Sequence, residues 1–106
     1  MIYRDLEKVR TIIDEATGLE VSYAYDDLVF PDHTAFIMQF DDTKATHFFC
    51  YFHKDCNPED QKTLEEKLTA SCINQKCTIV FKGSFELEQQ GESVNIHFFF
   101  FFYERK

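Results

Sequence analysis

The chain closes on HFFFFFYERK, where five consecutive phenylalanines, Phe98 to Phe102, precede Tyr103 and three charged residues. No other stretch constrains the fold as strongly. Successive side chains of a β-strand point to opposite faces, so this run places aromatic rings on both sides of the sheet that holds it. One side can be the core of the domain. The other must be covered by a helix, by a second copy of the chain or by a different protein.

The preceding segment supplies a partner strand. CTIVFKGSFELE and ESVNIHFFFFFYER flank Gln90-Gly91, which reads as a two-residue hairpin turn. In that register Leu87 faces Val94, Phe85 faces Ile96, Gly83 faces Phe98, Phe81 faces Phe100 and Ile79 faces Phe102. All are apolar pairs, or glycine beside phenylalanine. The opposite face pairs Glu86 with Asn95, Ser84 with His97, Lys82 with Phe99, Val80 with Phe101 and Thr78 with Tyr103. A slip of one residue would exchange the faces, so the register is well specified. It assigns Phe98, Phe100 and Phe102 to the core and Phe99, Phe101 and Tyr103 to an interface.

Upstream, IYRDLEKVRTIIDEATG spaces Ile2, Leu6, Val9, Ile13 and Ala16 as one helical stripe, and Gly18 suits its left-handed stop. LEVSYAYDD alternates as a strand with Leu19, Val21, Tyr23 and Tyr25 on one face. LVFPDH is interrupted by Pro31 and reads as a loop or edge segment. TAFIMQF and THFFCYFH follow as two strands joined by DDTKA. One face carries Phe36, Met38, Phe40, Phe48, Cys50 and Phe52, and the other Ile37, Gln39, His47, Phe49, Tyr51 and His53. In CNPEDQKTLEEKLTASCINQ, Asn57 caps a helix, Pro58 takes its first position, and Glu59 and Asp60 complement the dipole. Its apolar stripe is narrow: Leu64, Leu68, Cys72 and Ile73. The reading is one α+β domain over residues 1–106, two-layered, ordered helix, three strands, helix, two strands, with a mainly antiparallel sheet.

At 106 residues, 17% of them aromatic with 13 phenylalanines and no tryptophan, the chain can bury a core without staples. The net charge is −8, which disfavours nucleic acid and anionic membrane and fits either a basic protein partner or simply a solvated acidic surface. A charged N-terminus and the lack of an apolar run near the roughly 20 residues of a span lead to the expectation of a cytoplasmic protein with reduced cysteines.

Chemical motifs are sparse. Cys50, His53 and Cys56 in CYFHKDC, with Cys72 and Cys77, are the only zinc-like set. A strand points Cys50 and His53 to opposite faces, so no metal or other cofactor is expected. Asp26-Asp27 and Asp41-Asp42 fit turn chemistry. His97 with Glu86 or Glu88 fits a solvent-facing cross-strand pair. No glycine loop cradles a phosphate, and no catalytic residue is assigned: the expectation is a protein that is not an enzyme. The expected function is protein binding, as an inhibitor or immunity-type protein that neutralises a basic toxin or nuclease. Phe99, Phe101, Tyr103, Phe49 and Tyr51 would make the contact, with Glu59, Asp60, Glu65 and Glu66 steering the partner. Two alternatives stand beside it. The element order resembles that of type III secretion chaperones in topology, without a shared motif, which implies a homodimeric chaperone for a secreted protein. The other is a small metal protein or enzyme built on the Cys/His set.

Overall fold

Asp5 opens the first helix, its carboxylate accepting the Lys8 N–H at 3.0 Å. Helix α1 (Leu6–Thr17) ends at Gly18, whose φ of 74° provides the left-handed stop. Its buried stripe is Val9, Ile12, Ile13 and Ala16. The structure, a computed structural model, describes residues 5–25 and 27–100; Ile2 lies outside them.

Strands β1 (Val21–Tyr25), β2 (Leu28–Pro31), β3 (Phe36–Phe40) and β4 (His47–His53) follow as an antiparallel meander, with a short 3-10 turn, Asp32–Thr34, between β2 and β3. Helix α2 (Pro58–Asn74) is capped by Asn57, whose side chain accepts the Glu59 N–H at 2.8 Å. The chain then returns through β5 (Thr78–Gln90) and β6 (Ser93–Phe100). Because α2 carries it back across one face, β5 lies parallel to β4, and β6 turns antiparallel onto β5. The strand order is β1-β2-β3-β4-β5-β6, and the mixed sheet curls into a half-barrel.

This corrects the fold expected from the sequence. LVFP is a strand inside the sheet, so four strands precede α2 instead of three, and the β4–β5 pairing makes the sheet mixed. The hairpin turn is at Gly91-Glu92, with Gln90 opposite Ser93, so Leu87 pairs with Ile96 and Phe85 with Phe98. That shift of two residues preserves the alternation within the hairpin. The topological likeness to the secretion chaperones rested on the three-plus-two order and falls with it.

Both helices lie on one face. Their side chains share a single core with Val29, Phe36, Met38, Phe40, Phe48, Cys50 and Phe52. Buried Ser71 of α2 ties the helices together, its hydroxyl donating to the Glu15 carboxylate at 2.7 Å, with the Ile12 carbonyl 3.3 Å away as the alternative acceptor. Ile73, read as part of the buried stripe, is exposed. A second cluster, Leu28, Ile37, Tyr51 and Phe85, with Phe30, Phe49, Ile96 and Phe98 packed against it, occupies the opposite face without a helical residue.

Two bulges divide the apolar residues between these faces. In β5, Phe81 pairs with Cys50 but Gly83 with Tyr51, leaving Lys82 as an extra residue. Ile79 and Phe81 therefore pack under the helices, whereas Phe85 joins the second cluster. In β1, Val21 pairs with Pro31 and Tyr23 with Phe30, leaving Ser22 as the extra residue; its hydroxyl donates to Asp32. Val21 thus faces the helices, while Tyr23 packs on Phe30. A bulge places two residues opposite one and so reverses the face of everything beyond it.

The assignment of the C-terminal phenylalanines changes accordingly. Phe98, expected beneath the helices, lies on the opposite face, its ring 4.6 Å from that of Tyr51. Gly83, which pairs with Tyr51, has no side chain to separate those rings. Phe99 pairs with Ser84 on the helix side of the sheet, and is 48% exposed. Phe101, Phe102 and Tyr103 lie outside the described residues.

Candidate functional site

The curl of the sheet brings its two ends towards each other on the face without helices. Tyr23, Tyr25 and Phe30 from β1 and β2 line one concave groove of about 530 Å³ together with Leu87, Val94 and Ile96 from β5 and β6. Tyr23 and Tyr25 are 57% and 63% exposed, and Val94 54%. The tyrosine rings lie 6.4 Å apart and nearly parallel at 4°, because residues two apart share a strand face. Phe30 meets Tyr23 at 5.7 Å and 47°, closing the inner end of this aromatic row.

A polar chain runs along the same face. The Tyr51 hydroxyl donates to Gln39 Oε1 at 2.9 Å, and Gln39 Nε2 donates to Asp27 Oδ2 at 2.8 Å. Burial pushes the Tyr51 phenol up, and the Asp27 carboxylate adds to the shift. The phenol is therefore a proton donor at neutral pH, which holds Gln39 with its amide turned towards Asp27. The chain ends on the Asp27 carboxylate, which lies on this face but is not among the residues lining the groove. Further along, Lys82 at the β5 bulge places its ammonium 4.7 Å from the centre of the Phe49 ring.

Of the contact residues proposed from sequence, the structure brings Phe49 and Tyr51 together on this face. Phe49 is half-buried and Tyr51 buried within the second cluster, and neither lines the groove. Phe99 faces the other way, and Phe101 and Tyr103 lie outside the described residues. Glu59, Asp60 and Glu66 are exposed on α2, and Glu65 is half-buried beside Gln61, whose amide donates to it at 3.3 Å. Helix α2 packs on the other side of the sheet, so these carboxylates and the aromatic groove do not form one surface. Tyr23, Tyr25, Phe30, Leu87, Val94 and Ile96 were missed as site residues. The Tyr-x-Tyr alternation was the available signal, but without the Ser22 bulge it reads as core-facing together with Val21.

A second concavity, about 650 Å³, lies between the turn at His33, the end of β4 and the first turns of α2. It contains His53, Asp55, Cys56 and Asp60, the region read as zinc-like. Its chemistry does not support nucleophilic catalysis. Burial pushes the Cys56 thiol up, with Asp60 adding to the shift, and the thiol is placed towards the Asn57 carbonyl at 3.7 Å rather than a base. His53 Nδ1 accepts the Asp55 N–H at 3.1 Å, which leaves its proton on Nε2. Among the described residues no group of three or more His, Cys, Asp or Glu is placed to hold a metal ion, and no helix is long and apolar enough to cross a membrane.

On the outer face of the β5–β6 hairpin, His97 Nε2 lies 2.8 Å from Glu88, the cross-strand contact expected from sequence. Lys54 Nζ lies 2.8 Å from Glu86 and holds that carboxyl below its usual range by hydrogen bond and charge. A carboxyl depressed in the folded state stabilises above its unfolded pKa, and the gain disappears as pH falls through the folded value. Replacing Glu86→Gln should therefore lower Tm at neutral pH, with the difference from wild type vanishing in acid. Thermal unfolding of both proteins across that range is the check.

No protein-family model, curated protein or solved structure matches the chain.

Proposed function

We propose that this chain is a non-enzymatic binding domain whose concave sheet face takes a basic protein partner. The observation that carries this reading is the groove between Tyr23, Tyr25 and Phe30 and the facing Leu87, Val94 and Ile96: apolar, aromatic and open. Aromatic residues in such a patch are typical centres of protein contacts. The parallel tyrosine rings suit an arginine or lysine side chain held through a cation–π contact. The net charge of −8 supports the same partner chemistry at longer range. Neutralisation of a basic toxin or nuclease is the narrower reading. It rests on charge and size, because a positively charged substrate groove is the natural complement of an acidic inhibitor.

The division of the surface separates two roles. Groove aromatics would set how long the complex lasts, and the α2 carboxylates, on the other side of the sheet, would contribute only to the field that draws the partner in. The test is affinity capture from the native cell, followed by kinetics with the captured protein at low and high salt. Association should slow as salt rises while dissociation changes little. A salt-independent association rate would leave the acidic surface as a solubility feature. Light scattering of the purified chain decides the competing occupant, a second copy of itself.

A further inference from the structure

The end of α2 is a Schellman turn built without glycine. After the cap Gln75, Lys76 takes the left-handed position with φ 60°. The Lys76 N–H donates to the Ile73 carbonyl at 3.0 Å, and the Cys77 N–H reaches back to the Cys72 carbonyl at 2.7 Å. In this motif the residue two beyond the cap and the residue three before it make an apolar contact across the turn. Here both positions are cysteine. Cys72 and Cys77 are 1% and 8% exposed and belong to the same core cluster, Cys72 senses Cys77 electrostatically, and the Cys77 thiol is placed towards the Gln75 carbonyl of the same turn at 3.4 Å, so the motif puts two thiols at the positions where a helix usually pairs aliphatic side chains. We propose that Cys72 and Cys77 are a redox pair that closes to an intramolecular disulfide across the α2–β5 turn on meeting a small-molecule disulfide.

The chemistry balances as two thiol–disulfide exchanges. The Cys77 thiolate attacks one sulfur of the small disulfide, forming a mixed disulfide and expelling one thiolate. The Cys72 thiolate then attacks the Cys77 sulfur and expels the second. The protein loses two electrons and two protons, and the small disulfide becomes two thiols. Cys77 is the first nucleophile because it is the more exposed. Burial pushes its thiol up; the Lys8 ammonium of α1 pulls the other way and the Asp5 carboxylate opposes Lys8. Burial pushes Cys72 up to about 12, with Cys77 adding to the shift; its step needs no solvent access because its target is already across the turn. Buried thiols of this kind react slowly, so the pair responds to sustained oxidation. Cys50, on β4, lies in the same core cluster and within electrostatic reach of Cys72, so it is the competing partner that the peptide map must exclude; Cys56 is at the other end of α2.

The experiment equilibrates the folded, reduced chain with excess oxidised glutathione, then alkylates free thiols after denaturation in acid. Cys72 and Cys77 are expected to become closed to alkylation without carrying glutathione, while Cys50 stays alkylatable; the more accessible Cys56 can take up a glutathione of its own, which the peptide map identifies. Trypsin cuts at Lys67, Lys76 and Lys82, so the bond appears as peptide 68–76 joined to peptide 77–82. The oxidised chain should unfold about 5 °C or more above the reduced one. Cys56→Ser should retain both results, and Cys77→Ser should lose both. Four alkylatable thiols after equilibration, a glutathione adduct left on Cys77 with Cys72 still free, or a bond through Cys50 or Cys56 would each overturn the proposal. If Cys77→Ser does not fold, the peptide map of the unmodified chain still decides.

Discussion

Truncating Phe52 to alanine is expected to lower stability by about 3–5 kcal/mol, the range for removing a large aromatic side chain from a close-packed core. Phe52 is fully buried at the centre of the helix-facing side of β4. Its ring stacks on Phe81 at 5.6 Å and meets Phe36 at 6.5 Å, so it joins three strands beneath the helices. Domains of this size have a total stability on the order of 5–15 kcal/mol. The loss corresponds to a fall in Tm of at least about 12 °C and leaves little reserve at body temperature. Phe99→Ala should cost much less, about 1 kcal/mol or below, because Phe99 is about half exposed and outside the buried core. Thermal unfolding by circular dichroism compares the two. Similar losses would mean that the faces of β4 and β6 are wrongly assigned.

The second large effect concerns the groove. Replacing Tyr25→Lys and Val94→Lys together puts two ammonium groups at its opposite walls. Both native side chains are more exposed than buried, so Tm should fall by no more than a few degrees. Binding of the protein captured by wild type should weaken by about 2 kcal/mol or more, roughly thirtyfold, through lost aromatic contact and added repulsion of a basic surface. Glu59→Gln with Glu66→Gln, on α2, should alter only the association rate and its salt dependence. If the α2 pair abolishes binding and the groove pair does not, the contact is on the helix side.

Much of the fold was legible locally. The stripe ending at Gly18 and the Asn57-Pro58 start give α1 and α2 because caps are read within one turn of the chain. The alternation of Phe36 to Phe40 and Phe48 to Phe52 gives the two faces of the central strands because both stay in regular register. LVFP was harder: four residues ending in proline carry almost no period, and only the neighbouring strands make them part of a sheet. The parallel β4–β5 pairing depends on where α2 lies, which a tertiary contact decides. The two bulges leave no comparable local signal. Phe81 and Phe85 are four residues apart, which in an uninterrupted strand means the same face. Nothing in Phe81-Lys82-Gly83-Ser84-Phe85 shows that Lys82 will stand outside the ladder. The same holds for Ser22 between Val21 and Tyr23. The groove exists because of those two residues, so reading them as regular strand concealed it and sent Phe98 to the wrong side.

The concave face depends most heavily on the Lys82 bulge, and a deletion tests it directly. Removing one residue from a regular strand turns every side chain beyond it to the wrong face. Removing Lys82 should not. With it gone, Phe81 opposite Cys50 and Gly83 opposite Tyr51 become consecutive residues of an ordinary strand, and Phe85, Leu87 and their β6 partners keep their present faces. Deleting Glu86 instead must drive either Phe85 or Leu87 to the helix side. The measurement is thermal unfolding of the two deletion variants beside wild type. The prediction is a cooperative transition for the Lys82 deletion, with a loss of about 1–2 kcal/mol, and a collapse of cooperative folding for the Glu86 deletion. Loss of the cooperative transition in both would contradict the bulge, and with it the face that forms the groove.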